Sequence, residues 1–378
     1  MFSNYKFDIS YIFGQGRAKK INSNNNFGKE FFYGYHFFLE KGYKLNIIES
    51  DINKTSYLKP VLRMLDKYLA KFTKLTFYMT AFINRKALNQ IYHSKNIITS
   101  NHGIGMTVFI FISIMKRFKK INFIVILSGL FAMKKSNLIV RVCRKLIFLW
   151  FLLTVDYLVF TSRSEYEFAI NKHTRFKHKF VCLPFSLDTS FWTPSKKVDF
   201  SSKKGVLFIG SNGHRDFNLV IDIAKELKDI PFTFITNVIL DEQIKSDNVK
   251  NIKGEWGREY LTDSEIKEYY ESAKITILPI NNTLVSSGQS AGLQSASVGT
   301  PLMTTETIGF WDYKFYNHEE NIIFVKENSL DLWVNLLSNL YNNKEKLEHL
   351  SKNGIQLVNS KYDINKFNLS LEQYIVDE

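Results

Sequence analysis

The chain has 378 residues, of which 45% are hydrophobic and 23% charged, and its formal net charge is +14. This composition is typical of a globular protein and excludes a disordered, collagen-like or coiled-coil chain. The length is about two and a half times that of a typical domain of roughly 150 residues, so we expect two packed domains. Two cysteines, Cys143 and Cys182, are too few for a disulfide framework and favour a reducing cytoplasm. The N-terminal residues lack a basic start followed by an apolar core, so no secretory signal is expected.

The charge is divided unevenly between the two halves of the chain. Residues 1–195 hold 30 Lys and Arg against 10 Asp and Glu, whereas residues 196–378 hold 20 against 26. Such a basic half is typical of a domain that meets a polyanion, although a solvated surface with no partner is the alternative. The sequence contains no recognised RNA-binding or DNA-binding motif, so nucleic acid is not expected as a partner.

Short apolar segments alternate with amphipathic helical segments along the whole chain. The strands predicted in the first half are residues 7–13, 43–48, 96–99, 122–127, 157–161 and 180–183. Those in the second half are residues 206–209, 232–235, 251–253, 275–278, 302–304 and 322–325. The alternation indicates parallel sheets covered by helices, and one set per half predicts an α/β protein with two Rossmann-like domains.

The domain limits are predicted from the point at which this periodicity stops. Residues 193–205 are polar and contain Pro194 and Gly205, so we interpret them as a linker between domains at 1–192 and 206–361. The final segment, 362–378, has a helical pattern. Capping boxes are predicted to begin helices at residues 164–167 and 262–265, where a Ser or Thr precedes a Glu by three positions.

Two apolar runs are candidates for membrane-spanning segments. Residues 108–115 and 146–155 are almost wholly apolar but are bracketed by charged residues. A span needs roughly 20 apolar residues, so we predict a buried helix or strand for both runs.

The segment with the most distinctive chemistry is residues 280–306. It follows the predicted strand 275–278 with a small polar loop, Ser286-Ser287-Gly288-Gln289, and then a helix that is expected to end at Gly299 before Pro301. Free N–H groups and the positive end of the helix dipole suit a phosphate there, while an ordinary strand-to-helix turn is the alternative.

With this loop, four segments of the chain resemble one family. Residues 184–194, 206–216, 262–279 and 299–305 are similar to the C-terminal half of GT-B glycosyltransferases, in the large retaining group called family 4. The resemblance covers most of residues 155–360 and extends weakly to the N-terminal half. It implies two facing Rossmann-like domains with a cleft between them, a nucleotide-sugar donor held mainly by the C-terminal domain, and a last helix that packs on the N-terminal domain.

The same resemblance implies a set of donor-binding residues. They are Gly14, Gly210, Asn212, Arg215, Ser286, Ser287, Gly288, Gln289, Gln294 and Glu306. The family usually places two glutamates eight positions apart around the donor loop, and Ser286 and Gln294 stand at those positions here. Gln294 can still bind ribose hydroxyls, and Glu306 is a candidate replacement carboxylate, with an exposed loop acid as the alternative.

Arg215 and His102 are the predicted catalytic residues. The Arg215 guanidinium offers a planar fork that matches phosphate oxygens, whereas a surface salt bridge is the alternative. His102 follows the predicted strand 96–99, at the edge where open α/β sheets bind ligands, and relatives often have a histidine near the reacting sugar. A structural histidine, and a plain turn at Gly14, are the alternatives.

The resemblance implies that the departing phosphate accepts the acceptor's proton, so no metal or other cofactor is expected. Two further hypotheses stay open. One is an inverting transferase with a different donor, in which His102 would be a base. The other is an inactive GT-B protein that binds a membrane or a partner.

The pattern of residues 58–74 predicts the location of the protein in the cell. Leu58, Leu62, Leu65, Leu69 and Phe72 repeat at helical spacing beside the basic residues Lys59, Arg63, Lys67, Lys71 and Lys74. Further basic residues expected on this surface are Lys116, Arg117, Lys119, Lys120, Lys134 and Lys135. The pattern predicts reversible attachment to an anionic membrane at its cytoplasmic face, with a lipid-linked glycan as acceptor. An ordinary helix with leucines in the core is the alternative.

Overall fold

The computed structural model describes residues 5–14, 16–22, 26–50, 59–132, 136–254 and 261–376. The described residues form twelve strands: β1 Phe7–Phe13, β2 Leu45–Glu49, β3 Ser94–Thr99, β4 Asn122–Leu127, β5 Tyr157–Phe160, β6 Phe180–Cys182, β7 Val206–Ile209, β8 Phe232–Ile235, β9 Val249–Ile252, β10 Ile275–Leu278, β11 Leu302–Thr305 and β12 Ile323–Val325. Every predicted strand is confirmed, and the ends differ by at most two residues.

The helices described between these strands are α1 Arg17–Ile21, α2 Tyr35–Glu40, α3 Lys59–Thr73, α4 Met79–Phe82, α5 Arg85–Tyr92, α6 His102–Met115, α7 Leu138–Thr154, α8 Arg163–Lys172, α9 Phe217–Glu226, α10 Asp263–Ser272, α11 Gln289–Ser297, α12 Leu330–Tyr341, α13 Lys344–Lys361 and α14 Ile364–Glu372. Three short 3₁₀ segments lie at Glu30–Phe32, Thr174–Lys179 and Asp241–Gln243.

The strands form two parallel six-stranded sheets. The N-terminal sheet has the order β2-β1-β3-β4-β5-β6, and the C-terminal sheet has the order β12-β11-β10-β7-β8-β9. The direction of winding reverses between β1 and β3 in the first sheet and between β7 and β10 in the second. Ligands of open α/β sheets bind beyond the carboxyl ends of the strands at such a switch point. The predicted α/β class with two Rossmann-like domains is confirmed.

Helix α14 packs on the N-terminal sheet although it is the last helix of the chain. Phe367 and Leu371 lie in one apolar cluster with Ile9 and Tyr11 of β1. The Asn122 side-chain amide also donates to the backbone carbonyl of Tyr374, at 2.7 Å. The chain therefore crosses between the two sheets twice. The predicted limits of the two domains and of the linker remain predictions.

One of the two predicted capping boxes is present. At α10, the Thr262 hydroxyl accepts from the Glu265 N–H at 3.2 Å, and the Glu265 carboxylate accepts from the Thr262 N–H at 2.7 Å. The box at 164–167 is wrong, because α8 is capped by the Ser162 hydroxyl. The Ser164 hydroxyl instead donates to the Phe310 carbonyl in the other half of the chain.

The apolar runs 108–115 and 146–155 lie in α6 and α7. No helix in the described part of the chain is both long enough and apolar enough to cross a bilayer. Much of α6 is buried, including Val108 and Ile112, but the expectation of burial is wrong for Ile114, which is exposed. The expectation of burial is wrong for Leu146, Leu149, Trp150 and Leu153, because only one side of α7 packs on the core.

Candidate active site

The carboxyl ends of the two sheets face each other, and their loops are in contact. The Gln289 side-chain amide at the start of α11 donates to the Thr161 carbonyl, just after β5, at 2.8 Å. Gly129, in the loop after β4, lies so close to Val285 that an added Cβ would be 3.2 Å from its side chain. Loops that leave the N-terminal sheet therefore touch the loop between β10 and α11.

Arg215 lies at the switch point of the C-terminal sheet, in the loop after β7. Its guanidinium covers Gly210, where an added Cβ would be 2.2 Å from the Arg215 Cζ atom, and its Nε donates to the Ile209 carbonyl at 3.1 Å. Gly210 has φ +130°, a conformation that favours glycine.

The environment of Arg215 is suited to an anion. Its side chain is almost fully buried, and this burial lowers the pKa of Arg215 to about 10, so the group stays protonated at neutral pH. None of the carboxylates in the described ranges lies within ion-pair distance of it. A buried cation without a counter-ion is costly, and a bound phosphate would supply the missing charge.

The loop before α11 supplies the other side of this switch point. Gly288 is the N-cap of α11 with φ +80°, and an added Cβ would be 3.0 Å from both Ile280 and Leu278. The Ser287 hydroxyl donates to the Asn212 side-chain oxygen at 2.9 Å, which joins this loop to the loop that carries Arg215. The Ser286 hydroxyl is buried and has no hydrogen-bond partner among the residues described. The structure thus brings these predicted residues together.

Gln294 contacts the N-terminal half rather than an open surface. Its amide donates to the Glu30 carboxylate at 3.1 Å, and its side-chain oxygen accepts from the Tyr270 hydroxyl at 3.4 Å. The Gln289 side-chain amide likewise donates to a residue of the N-terminal half, at the Thr161 carbonyl. Both predicted donor-binding amides therefore serve as bonds between the domains in this structure. Glu306 is exposed after β11, and its backbone N–H donates to Val325.

Glu30 is a residue of this region that sequence reasoning missed. One of its carboxylate oxygens accepts from the Trp192 indole N–H at 2.9 Å and from Gln294, while the other is buried with no partner in the described ranges. Burial raises the pKa of Glu30 to about 7. The sequence signal was weak, since an acid next to Lys29 normally indicates a surface.

His102 and Gly14 lie at the switch point of the N-terminal sheet, after β3 and β1. His102 is the first residue of α6, and its ring hydrogen-bonds to the backbone of Ser128. Burial lowers the pKa of His102 to about 4, so the ring is neutral at physiological pH. Its Nδ1 atom is buried and has no partner in the described part of the chain.

Gly14 stands beside an arginine that the sequence did not single out. An added Cβ at Gly14 would be 3.6 Å from the Arg17 guanidinium, which lies over the Phe13 ring at 5.1 Å. The Arg17 Nε also donates to the Phe31 carbonyl at 3.0 Å. Gln15, between the two glycines of the predicted turn, lies outside the described residues.

The predicted membrane-contacting residues fall into two groups. Those with exposed side chains are Arg63, Lys67, Lys71, Lys74 and Lys120. Lys116 instead forms an ion pair with Asp156 and donates to the Thr154 carbonyl at 2.8 Å, and Lys119 packs on the Tyr5 ring at 4.0 Å. Leu58, Lys134 and Lys135 lie outside the described residues.

The described residues contain no group of three or more His, Cys, Asp or Glu side chains that is arranged to hold a metal ion.

Comparison with known proteins gives structural matches alone. No family model and no curated protein matches the sequence. HepE from Anabaena, solved in complex with UDP and glucose, superposes with a TM-score of 0.66 at 10% identity, covering 97% of this chain and 98% of that one. Sucrose-phosphate synthase from Thermosynechococcus elongatus gives 0.68 at 12% identity, covering 97% of both chains.

A glycosyltransferase from Rickettsia africae superposes with a TM-score of 0.63 at 9% identity, covering 98% of both chains. The three structures share the two facing sheets over nearly the whole length of this chain. The fold is therefore GT-B, as the sequence predicted.

Proposed function

We propose that the protein is a glycosyltransferase that takes a sugar from a nucleotide diphosphate donor. The observation that carries this proposal is the convergence of buried Arg215 and the N-terminus of α11 at the switch point of the C-terminal sheet. Both features suit the two phosphates of such a donor. The complex of HepE with UDP and glucose supports a donor of this class, because HepE has the same fold.

In this proposal, several residues near the switch point of the C-terminal sheet contribute to donor binding. Arg215 and the α11 N-terminus offset the phosphate charge. Gly210 leaves room for the Arg215 guanidinium, and Gly288 lets the loop pack against Ile280 and Leu278. The Ser286 hydroxyl, which has no partner in the described residues, is available to the phosphate or the sugar. Glu30 lies next to Gln294, and its second carboxylate oxygen, which is buried with no partner in the described residues, is available to a ribose hydroxyl.

The reaction proposed is a hexosyl transfer that retains configuration, as in family 4. The bond between the anomeric carbon and the phosphate oxygen breaks, and a bond from the acceptor hydroxyl forms on the same face of the sugar. The acceptor's proton passes to the departing phosphate, so no protein base is needed. Arg215 and the α11 N-terminus stabilise the charge that develops on the leaving group.

His102 has a positioning role in this scheme. Its ring donates to the Ser128 carbonyl, which leaves neutral Nδ1 as a hydrogen-bond acceptor for a sugar hydroxyl. A pKa of about 4 makes His102 a weak base at neutral pH. This argues against the alternative in which an inverting enzyme uses His102 as a general base.

The acceptor proposed is a lipid-linked glycan at the cytoplasmic face of the bacterial membrane. Its product would be a cell-surface polysaccharide or glycoconjugate. The support is the basic N-terminal half and the exposed cations of α3. The enzyme would then bind the membrane peripherally.

The decisive experiment is a thermal-shift screen with UDP-, GDP-, CMP- and dTDP-sugars, followed by calorimetry with the best donor. We expect a nucleoside diphosphate sugar to bind and to bind at least tenfold more weakly to Arg215→Ala. NMR analysis of the product then assigns the anomer. Absence of binding by all donors would contradict the proposed function and favour an inactive GT-B protein.

A further inference from the structure

Helix α3 exposes an apolar side that the core does not cover. Val61, Met64, Leu65, Tyr68 and Phe72 are each 40–51% exposed. At 3.6 residues per turn they lie within about a third of the helix circumference. The inward side carries Leu62, Leu69 and Asp66, so the predicted leucine stripe is divided between core and surface.

Helix α7 packs against α3 and exposes a second apolar side. Leu138, Ile139, Val142, Leu146, Leu149 and Leu153 are each 37–66% exposed and also lie within about a third of the circumference. The opposite side buries Phe148, Phe151 and Leu152. Because α7 is apolar on both sides, its outer side is unlike that of an ordinary surface helix.

The exposed charges on these two helices have one sign. Exposed cations on α3 are Arg63, Lys67 and Lys71, and those on α7 are Arg141 and Lys145. Helix α7 contains no acidic residue.

The acid of α3, Asp66, is used inside the protein. Its carboxylate accepts from the Met79 N–H at 2.7 Å and from the Thr80 N–H at 3.0 Å. The two helices therefore present apolar side chains beside positive charges, with no exposed carboxylate of their own.

We propose that this α3–α7 face docks on an anionic lipid bilayer and inserts its apolar side chains at the level of the headgroups. Apolar residues beside Lys and Arg are the arrangement that favours an anionic membrane interface. A second copy of the chain fits less well, because a two-fold contact would place the same cations against each other. The use of this docking in catalysis rests on the proposed function, since a lipid-linked acceptor must be reached at the membrane.

Vesicle flotation tests the apolar part of the contact. We expect the protein to float with vesicles of 30% phosphatidylglycerol, and to retain part of this binding in high salt, because salt screens charge but not apolar insertion. Leu146→Glu with Leu153→Glu should reduce binding at least tenfold. The matched control is Leu332→Glu with Leu369→Glu, two exposed leucines on α12 and α14, which should bind as the unchanged protein does.

Trp150 reports the depth of the contact. It is 41% exposed on α7, whereas Trp192, Trp311 and Trp333 are buried. Vesicles with brominated acyl chains should quench its fluorescence, and Trp150→Phe should lose this quenching while it still floats.

Three results would overturn the proposal: no flotation with anionic vesicles, flotation without quenching of Trp150, or a dimer in vesicle-free solution that the α7 double variant dissolves. Circular dichroism verifies the fold of each variant, and donor calorimetry without vesicles tests the proposed function. This calorimetry also separates the two proposals, because donor binding and vesicle binding are measured independently.

Discussion

Replacing Glu30 with Gln should make the stability of the protein less dependent on pH. In the folded chain the Glu30 carboxyl is buried between the domains, which raises its pKa from 4.5 to about 7. The folded state therefore holds this proton over a pH range in which the unfolded state has lost it. Stability must then fall as pH rises from about 4.5 to about 7, and stay low above that range.

The magnitude follows from the two pKa values. Each pH unit of difference is worth about 1.4 kcal/mol, so the rise from 4.5 to about 7 corresponds to a full loss of about 3 to 4 kcal/mol. Gln keeps an oxygen that accepts from Trp192 and Gln294 but carries no charge. At pH 8, Glu30→Gln should therefore be more stable than the unchanged protein by up to about 3 to 4 kcal/mol, whereas near pH 4.5 the two should be similar.

Urea unfolding at pH 5 and pH 8, followed by tryptophan fluorescence, measures this difference. Other titrating groups are common to both proteins, so they cancel when the two are compared. Glu226→Gln on α9 is the matched control, because that side chain is exposed. A stability difference between Glu30→Gln and the unchanged protein that is equal at both pH values would refute the reasoning, as would a variant less stable at pH 8.

Three other predictions concern the donor site, His102 and a contact between the two halves of the chain. Gly210→Ala should displace the Arg215 guanidinium and weaken donor binding at least tenfold in calorimetry. Arg215→Ala should weaken donor binding by about 1.5 to 3 kcal/mol. If both variants bind the donor as tightly as the unchanged protein, the assignment of this site is wrong. The pH–rate profile should show no inflection from His102 near pH 6.5, because burial lowers the pKa of His102 to about 4. An inflection near pH 6.5 that disappears in His102→Asn would contradict this prediction. The Asp312 carboxylate is fully buried and accepts from the Arg163 guanidinium at 2.9 Å and from the Tyr362 hydroxyl at 3.1 Å. Asp312→Ala leaves both partners unpaired and should cost about 3 to 5 kcal/mol in urea unfolding, while a cost below about 1 kcal/mol would argue against a structural role.

Local chemistry determined the strands and the helix that follows the donor loop. Strand β7 was placed at both ends, because Val206 to Ile209 is a continuous apolar run between two glycines. The end of helix α11 was predicted from Gly299 followed by Pro301, and the structure has the positive φ at Gly299 that such an end requires. The alternation of strands and helices then fixed two parallel sheets, and these elements depend only on residues close together in the chain.

The burial of the Glu30 carboxylate at the domain interface was determined by the tertiary structure alone. Glu30 meets Gln294 and Trp192, which are 264 and 162 residues away in the chain. No local pattern encodes such a contact, since it exists only after the two sheets have been brought together.

The tertiary structure also determined which side chains are exposed at the surface. The sequence shows that α7 is apolar on two sides, but only its packing on the core and on α3 determines which side is buried and which remains exposed. Lys116 was expected at a membrane, and the fold brought Asp156 next to it instead. A residue's type limits what it can bind, whereas its partner depends on segments that are distant in sequence and become neighbours only in the folded chain.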